Sequence, residues 1–276
     1  MLYRHLAEHP SVSALEGTAR ATNEGQHNQS VYPSDEYHSK GGQFAFRPEA
    51  RMTESSPLVT DQNRAQLFAE WSRYWDTSAE VLLEKSPPNL IRTRFLQALF
   101  PNSSFIAIIR HPIPVTLATS RWGKIKPHTL VRHWLTAHDF LAQDAGHLRR
   151  LHVMRYEDLV ADPDAELARA FAFLGLADHD AGRDRSEGLN VDNFEADRTV
   201  RTGVNDKYFQ MWQERRRTLV RSIYYDAVDW RYERPVRRFG YSMRHPDQVR
   251  APQVQLPGLS ADAHGPLRSR SHSQTS

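Results

Sequence analysis

Two short apolar strings, Val81-Leu82-Leu83 and Phe105-Ile106-Ala107-Ile108-Ile109, each run into a basic residue that has a proline two positions beyond it. Lys85 precedes Pro87, and Arg110 precedes Pro112. An unbroken apolar string fits a strand of a parallel sheet, covered on both faces. Proline suits the first position of a helix, where its missing N–H is no loss. Each segment therefore reads as a strand, then a cation, then a helix. In an open parallel sheet, ligands bind beyond the carboxyl ends of the strands. Free N–H groups and the positive end of the dipole gather at a helix N-terminus and favour an anion. A cation beside such a terminus, repeated on neighbouring strands, makes a phosphate or sulfate site. Simple ion pairing of Lys85 and Arg110 with nearby acids is the plainer alternative.

Helical spacing fills in the rest. Leu67, Phe68, Trp71 and Trp75 place an amphipathic helix over 61–77. Ser86 reads as an N-cap opening a helix to Leu99. A helix is predicted over 113–122, another over 127–145, a strand over 151–156 and a helix ending near Gly175. The order β-α-β-α-α-β-α predicts a parallel sheet with right-handed crossovers. Residues 17–57, rich in Gly, Ser, Asn, Gln and Pro, read as a loop-rich insertion facing a substrate, within one domain over 1–246. Residues 247–276 read as a disordered polar tail.

Composition excludes several classes. With no cysteine, neither disulfides nor thiolate metal sites exist. A net charge of +3 is too small to argue for nucleic acid. No apolar run approaches the ~20 residues of a membrane span, and the first residues carry no signal pattern, so a cytoplasmic protein is expected. His128, His133 and His138, spaced by five, do not share a helix face, which speaks against a metal site. Thr116, Thr119 and Ser120 do share one, and could extend a phosphate cradle or bond their own backbone.

The segments EKSP, LFPNSSFIAIIRHPIPVTLATS and VMRYEDLVADPDAELARAFAFLGL together resemble the sulfotransferases that use 3′-phosphoadenosine 5′-phosphosulfate (PAPS), above all their bacterial and tyrosylprotein branches. The likeness covers roughly 1–14 and 80–241. It implies a P-loop-kinase-like α/β fold, a parallel sheet flanked by helices, and sulfuryl transfer from PAPS to a hydroxyl or amine without a metal. The acceptor class stays open among small-molecule, carbohydrate, lipid and peptide hydroxyls.

By that resemblance Arg110 grips the 3′-phosphate. The family's partner serine falls at Ala118, with Thr119 and Ser120 just beyond, so which hydroxyl substitutes is open. Lys85 matches a family lysine near the transferring group, and Glu16 is the candidate base, with Asp35 and Glu36 as alternatives. Arg201 and Gly203 resemble a phosphate-contacting segment, and Tyr156-Glu157-Asp158 a structural turn. The family's first strand and its phosphosulfate loop have no counterpart here, because Tyr3, Leu6 and Pro10 sit in the register of the helix that follows them. The resemblance thus implies an absent first strand and impaired transfer in the chain as given. The alternatives are a non-catalytic remnant holding a nucleotide 3′-phosphate and a P-loop-type small-molecule kinase relative.

Overall fold

Four short strands pair two by two. The computed structural model describes residues 2–20, 22–38, 42–179 and 205–259. Helix α1 (Leu2–Ala7) leads into β1 (Val12–Ala14), which pairs in parallel with β2 (Val81–Leu83). Between them lie α2 (Asp35–His38) and α3 (Asp61–Trp71). After β2 come α4 (Thr93–Leu99) and β3 (Phe105–Ile109), then α5 (Pro112–Thr119) and α6 (Pro127–Asp144). Strand β4 (Leu151–Arg155) pairs in parallel with β3 and is followed by α7 (Tyr156–Ala161) and α8 (Pro163–Leu174). Past the undescribed stretch, α9 (Asp206–Glu214) and α10 (Leu219–Arg237) complete the chain's helices among the described residues. The class is α/β with parallel strands, as expected.

The expected continuous sheet is instead two two-stranded sheets, because β2 and β3 share no ladder. What joins them is side-chain packing. Val81 and Leu83 of β2 and Ile106 and Ile108 of β3 pack on one apolar cluster that includes Leu2, Leu6, Met154, Leu167 and Phe171. The missing ladder has a cost in burial. Phe105–Ile108, expected to be covered on both faces, are only half-buried, and Ile109 alone is fully buried. The larger core lies behind β3 and β4, where Trp134, Trp212, Phe239 and Tyr241 meet from α6, α9 and the turn after α10.

Several local expectations change. Helix α3 stops at Trp71, and Trp75 lies past it, donating its indole N–H to the Leu83 carbonyl at 3.0 Å and pinning the end of β2. The helix expected from Ser86 to Leu99 is a 3₁₀ turn at Pro87–Ile91, a break at Arg92 and then α4. Ser86 makes no capping bond. Its hydroxyl donates to Glu84 and accepts from the Gln26 N–H at 3.1 Å.

The 17–57 insertion is not an open loop. It holds α2 and three 3₁₀ turns, at Gly25–His27, Phe44–Phe46 and Pro48–Ala50, and buries Tyr32, Phe44, Ala50 and Met52. Arg51 grips buried Asp144 of α6 with two bonds, at 2.9 and 2.7 Å. The expected tail boundary at 247 falls inside packed chain. Val249 and Leu256 are buried, and the Pro257 carbonyl accepts from the Val153 N–H of β4 at 2.7 Å. Residues 260–276 lie outside the described residues.

Candidate functional site

The carboxyl ends of the strands carry the expected cations, at two separate places. The first is at β1 and β2. Ala14 stands opposite Leu83, so Glu16 and Lys85 each lie two residues past the last rung. The Lys85 ammonium donates to the Thr22 carbonyl and to Glu24, both at 3.2 Å, and sits 5.9 Å above the ring of Tyr3. Tyr3 donates to the Leu15 carbonyl at 2.8 Å. Burial, then the charges of Glu16 and Glu84, push its phenol up to about 12, so it stays protonated. Glu16 is exposed, and its own backbone N–H bonds to the Tyr74 carbonyl. Glu84 points inward. It accepts from Ser86, Asn89 and, at 2.9 Å, the Gly25 N–H, while burial raises its pKa. The approach demands glycine, since a Cβ at Gly25 would lie 2.5 Å from the Glu84 Cγ.

Of the alternative bases, Glu36 is engaged by Arg20 through two bonds, and burial raises the pKa of Asp35.

The second place is at β3 and β4. Ile109 stands opposite Arg155, so Arg110 and Tyr156 both come one residue past the ladder. The Arg110 guanidinium lies 4.0 Å from the Tyr156 ring centre and 5.1 Å from that of Tyr208 on α9. Its Nε donates to the Asn205 side-chain oxygen at 3.1 Å. Both Nη groups make no hydrogen bond among the described residues, which leaves the planar fork open.

Behind this arginine stands Glu157, which sequence reasoning set aside as part of a turn. It is 1% exposed and accepts from three donors: the His111 N–H at 3.0 Å, the Asn205 amide at 2.7 Å and the Tyr241 hydroxyl at 2.8 Å. Asn205 thus links Glu157 to Arg110. Asp158 pairs with Arg155 at 3.8 Å, and Arg155 is itself fully buried, so it does not line the strand ends.

The helix N-termini contribute less than expected. Pro112 and Pro114 have no N–H, and the Ile113 N–H is taken by the ring of His111 at 3.1 Å. Beyond Lys85, Pro87 and Pro88 likewise offer none, and the Asn89 N–H closes on the Ser86 carbonyl. Side chains, not backbone amides, must therefore hold any anion here.

The hydroxyls after Arg110 divide. Ser120 donates to the Leu117 carbonyl at 2.8 Å, the plainer of its two expected roles. The methyl of Thr119 is pressed against Gly42 of the insertion, where a Cβ would meet it at 2.2 Å and where φ is +78°. Ala118 offers no polar atom. Thr116 is buried, and its hydroxyl has no hydrogen-bond partner among the described residues. Arg201 and Gly203 lie outside the described residues.

The histidines serve the scaffold. His111 donates to the Ser242 carbonyl at 3.0 Å, His133 accepts from the Ala45 N–H at 3.1 Å, and His138 stacks on Trp134 at 4.0 Å. Burial lowers them to about 3, about 4 and about 4 respectively. The unfolded chain therefore takes up protons on these rings first. Their contribution to stability is complete above the ordinary histidine pKa and is lost as pH falls toward the folded values. Between pH 7 and 5 each should cost about 2 kcal/mol. Urea midpoints measured at both pH values should show a large drop. A flat profile would mean that the rings are reached by water and protonate in place.

An arginine and a lysine thus stand just past the carboxyl ends of the parallel strands of an α/β fold. The comparisons with known proteins give the family. The model of the sulfotransferase family matches residues 1–180, and the chain belongs to that family. The omega-hydroxy-beta-dihydromenaquinone-9 sulfotransferases Stf3 of Mycobacterium bovis and Mycobacterium tuberculosis are each 25% identical over 187 residues, covering 62% of this chain and 44% of theirs. The chain thus spans less than half the length of these relatives. Two solved structures are also similar. The sulfotransferase domain of the Synechococcus PCC 7002 olefin synthase has 25% identity, covers 56% of this chain and 57% of its own, and gives a TM-score of 0.39. The sulfotransferase domain of the curacin biosynthetic pathway has 20% identity, covers 55% and 60%, and gives 0.38.

Proposed function

We propose that the chain binds PAPS and transfers its sulfuryl group to a hydroxyl or amine acceptor. The observation that carries this reading is the open fork of Arg110, braced by two tyrosine rings and Asn205 and directed past the end of β3. A planar guanidinium whose Nη groups make no hydrogen bond among the described residues suits bidentate contact with a phosphate. Thr116, a buried hydroxyl in want of a partner on the helix that Arg110 leads into, fits the same anionic end. At the other place Lys85 is the cation available to the phosphosulfate end, with Glu16 on the neighbouring strand end as the base for the acceptor's proton. No group of residues among those described could hold a metal ion, and the reading assigns none a role. The mycobacterial relatives are named for an omega-hydroxylated menaquinone, so a hydroxyl on an apolar small molecule is the first acceptor class to test. No helix among the described residues is long and apolar enough to cross a membrane.

Calorimetric titration with adenosine 3′,5′-bisphosphate (PAP) tests the binding half. Arg110→Ala should weaken PAP by roughly 1.5–3 kcal/mol, or about 10- to 150-fold, the span for a charge-assisted hydrogen bond. Equal affinity in the variant would remove Arg110 from the site. Binding of ATP with Mg²⁺ in preference to PAP would favour a kinase relative. PAP binding without transfer to any acceptor would favour a protein that only holds the nucleotide.

A further inference from the structure

Helix α10 is apolar on two opposite faces. At ~100° per residue, Tyr225, Val228, Tyr232 and Val236 form one stripe, and these four are buried against the main core. Leu219, Ile223 and Trp230 fall on the opposite stripe, with Val220 beside them. All four are open to solvent: Leu219 and Val220 are 78% exposed, Ile223 61% and Trp230 77%. A second exposed tryptophan lies on the segment before α6. That segment carries Trp122, 81% exposed, and six residues on, in the first turn of α6, the His128 N–H and ring meet the Tyr224 hydroxyl of α10 at 3.2 and 3.0 Å. Singly exposed apolar residues are ordinary, but four large ones gathered on one side of a helix are not.

The charges near this face that form no ion pair among the described residues are cations, and the acids beside it are each held by an arginine. Arg231 and Arg234 of α10, and Lys124 and Lys126 of the segment before α6, make no ion pair among the described residues. The nearby acids are occupied, Asp226 by Arg216 and Glu214 by Arg217. A hollow of about 690 Å³ opens beside Trp230, lined by Arg231, Arg234 and Arg244 and by Glu233, which Arg237 holds. A second copy laid on this face in a two-fold contact would set arginine against arginine. An anionic lipid surface satisfies both parts: it takes tryptophan and aliphatic side chains at its headgroup level and draws the cations around them.

We infer that the outer face of α10, together with the segment that carries Trp122, docks the protein on an anionic lipid surface. This rests on exposure and charge and is independent of the sulfuryl-transfer reading. It makes α10 an interfacial helix that lies on the surface without crossing it.

Flotation with vesicles tests it. Vesicles of phosphatidylcholine with ~30% phosphatidylserine should carry the protein, and phosphatidylcholine alone should bind about tenfold less or worse. Salt should weaken the binding, and the tryptophan emission should shift to the blue as Trp122 and Trp230 leave water. Ile223→Asp and Trp230→Ala change solvent-facing positions, so the thermal midpoint should hold while vesicle binding falls about tenfold in each. Three results overturn the inference: no flotation with either vesicle, binding that Ile223→Asp leaves intact and that is therefore charge attraction alone, or a concentration-dependent dimer that Ile223→Asp abolishes.

Discussion

Glu157→Ala should lower the unfolding free energy by about 3–5 kcal/mol, the range for stripping a buried charged hub from its partners. The carboxylate holds three donors at once, from the start of α5, from Asn205 and from Tyr241. Truncation leaves the His111 N–H and the Asn205 amide buried and unpaired and Tyr241 with only its 3.3 Å bond to the Ile109 carbonyl, and an unmade bond costs more than a made one returns. The damage should reach function. Asn205, released from Glu157, would no longer position the Nε of Arg110, so PAP affinity should fall with stability. Glu157→Gln should be milder, at about 1–2 kcal/mol, because one amide oxygen can still accept from His111 and Asn205 while the Tyr241 hydroxyl turns to accept. Urea unfolding of the three proteins settles the matter. An alanine variant within about 1 kcal/mol of the parent would show that water or another acceptor replaces the carboxylate.

Lys85→Ala is the larger effect on chemistry. In the lysine variant, kcat should fall about 10²–10³-fold with little change in PAP affinity. The reason is the timing of charge. In sulfuryl transfer the leaving phosphate gains charge as the bond to sulfur breaks. An ammonium at that oxygen interacts more strongly in the transition state than in the ground state, and so acts on kcat. The existing contacts of Lys85, Glu24 and the Thr22 carbonyl, set its position before any ligand arrives. Glu16→Gln should likewise reduce kcat at neutral pH. A Lys85 variant with normal kcat and a raised KM would reassign the lysine to ground-state binding, and full activity in the Glu16 variant would remove that carboxylate as base.

How much of this was legible in the sequence follows from the range of the forces involved. The β3–Arg110–α5 unit was readable because it is local: five apolar residues, a cation, then prolines. Helix α6 was readable because its stripe is long. Strand β1 was not, since three residues carry no period and its existence depends on β2, nearly seventy positions away. The break at Arg92 and the uncapped Ser86 were hidden for the same reason. Ser86 gives its hydroxyl to Glu84, and Glu84 in turn is fixed by Gly25 from the insertion. That insertion looked open because small polar residues dominate it, yet one tyrosine, two phenylalanines and a bidentate arginine suffice to fasten it. Glu157 offered one clue, an acid directly after a strand of the same kind as its neighbours. Only the fold brings it His111, Asn205 and Tyr241. The family was legible from motif and sequence order, while the expectation of amide-rich helix termini failed because proline and His111 consume the very groups that the argument needed.

The absence of a shared ladder between β2 and β3 bears on stiffness. Hydrogen-bonded rungs fix the spacing of neighbouring strands, and none crosses from β2 to β3. Lys85 stands on one sheet and Arg110 on the other, so the distance between the two cations is set by packed side chains. A long dianion touching both would act as a strut between the two sheets.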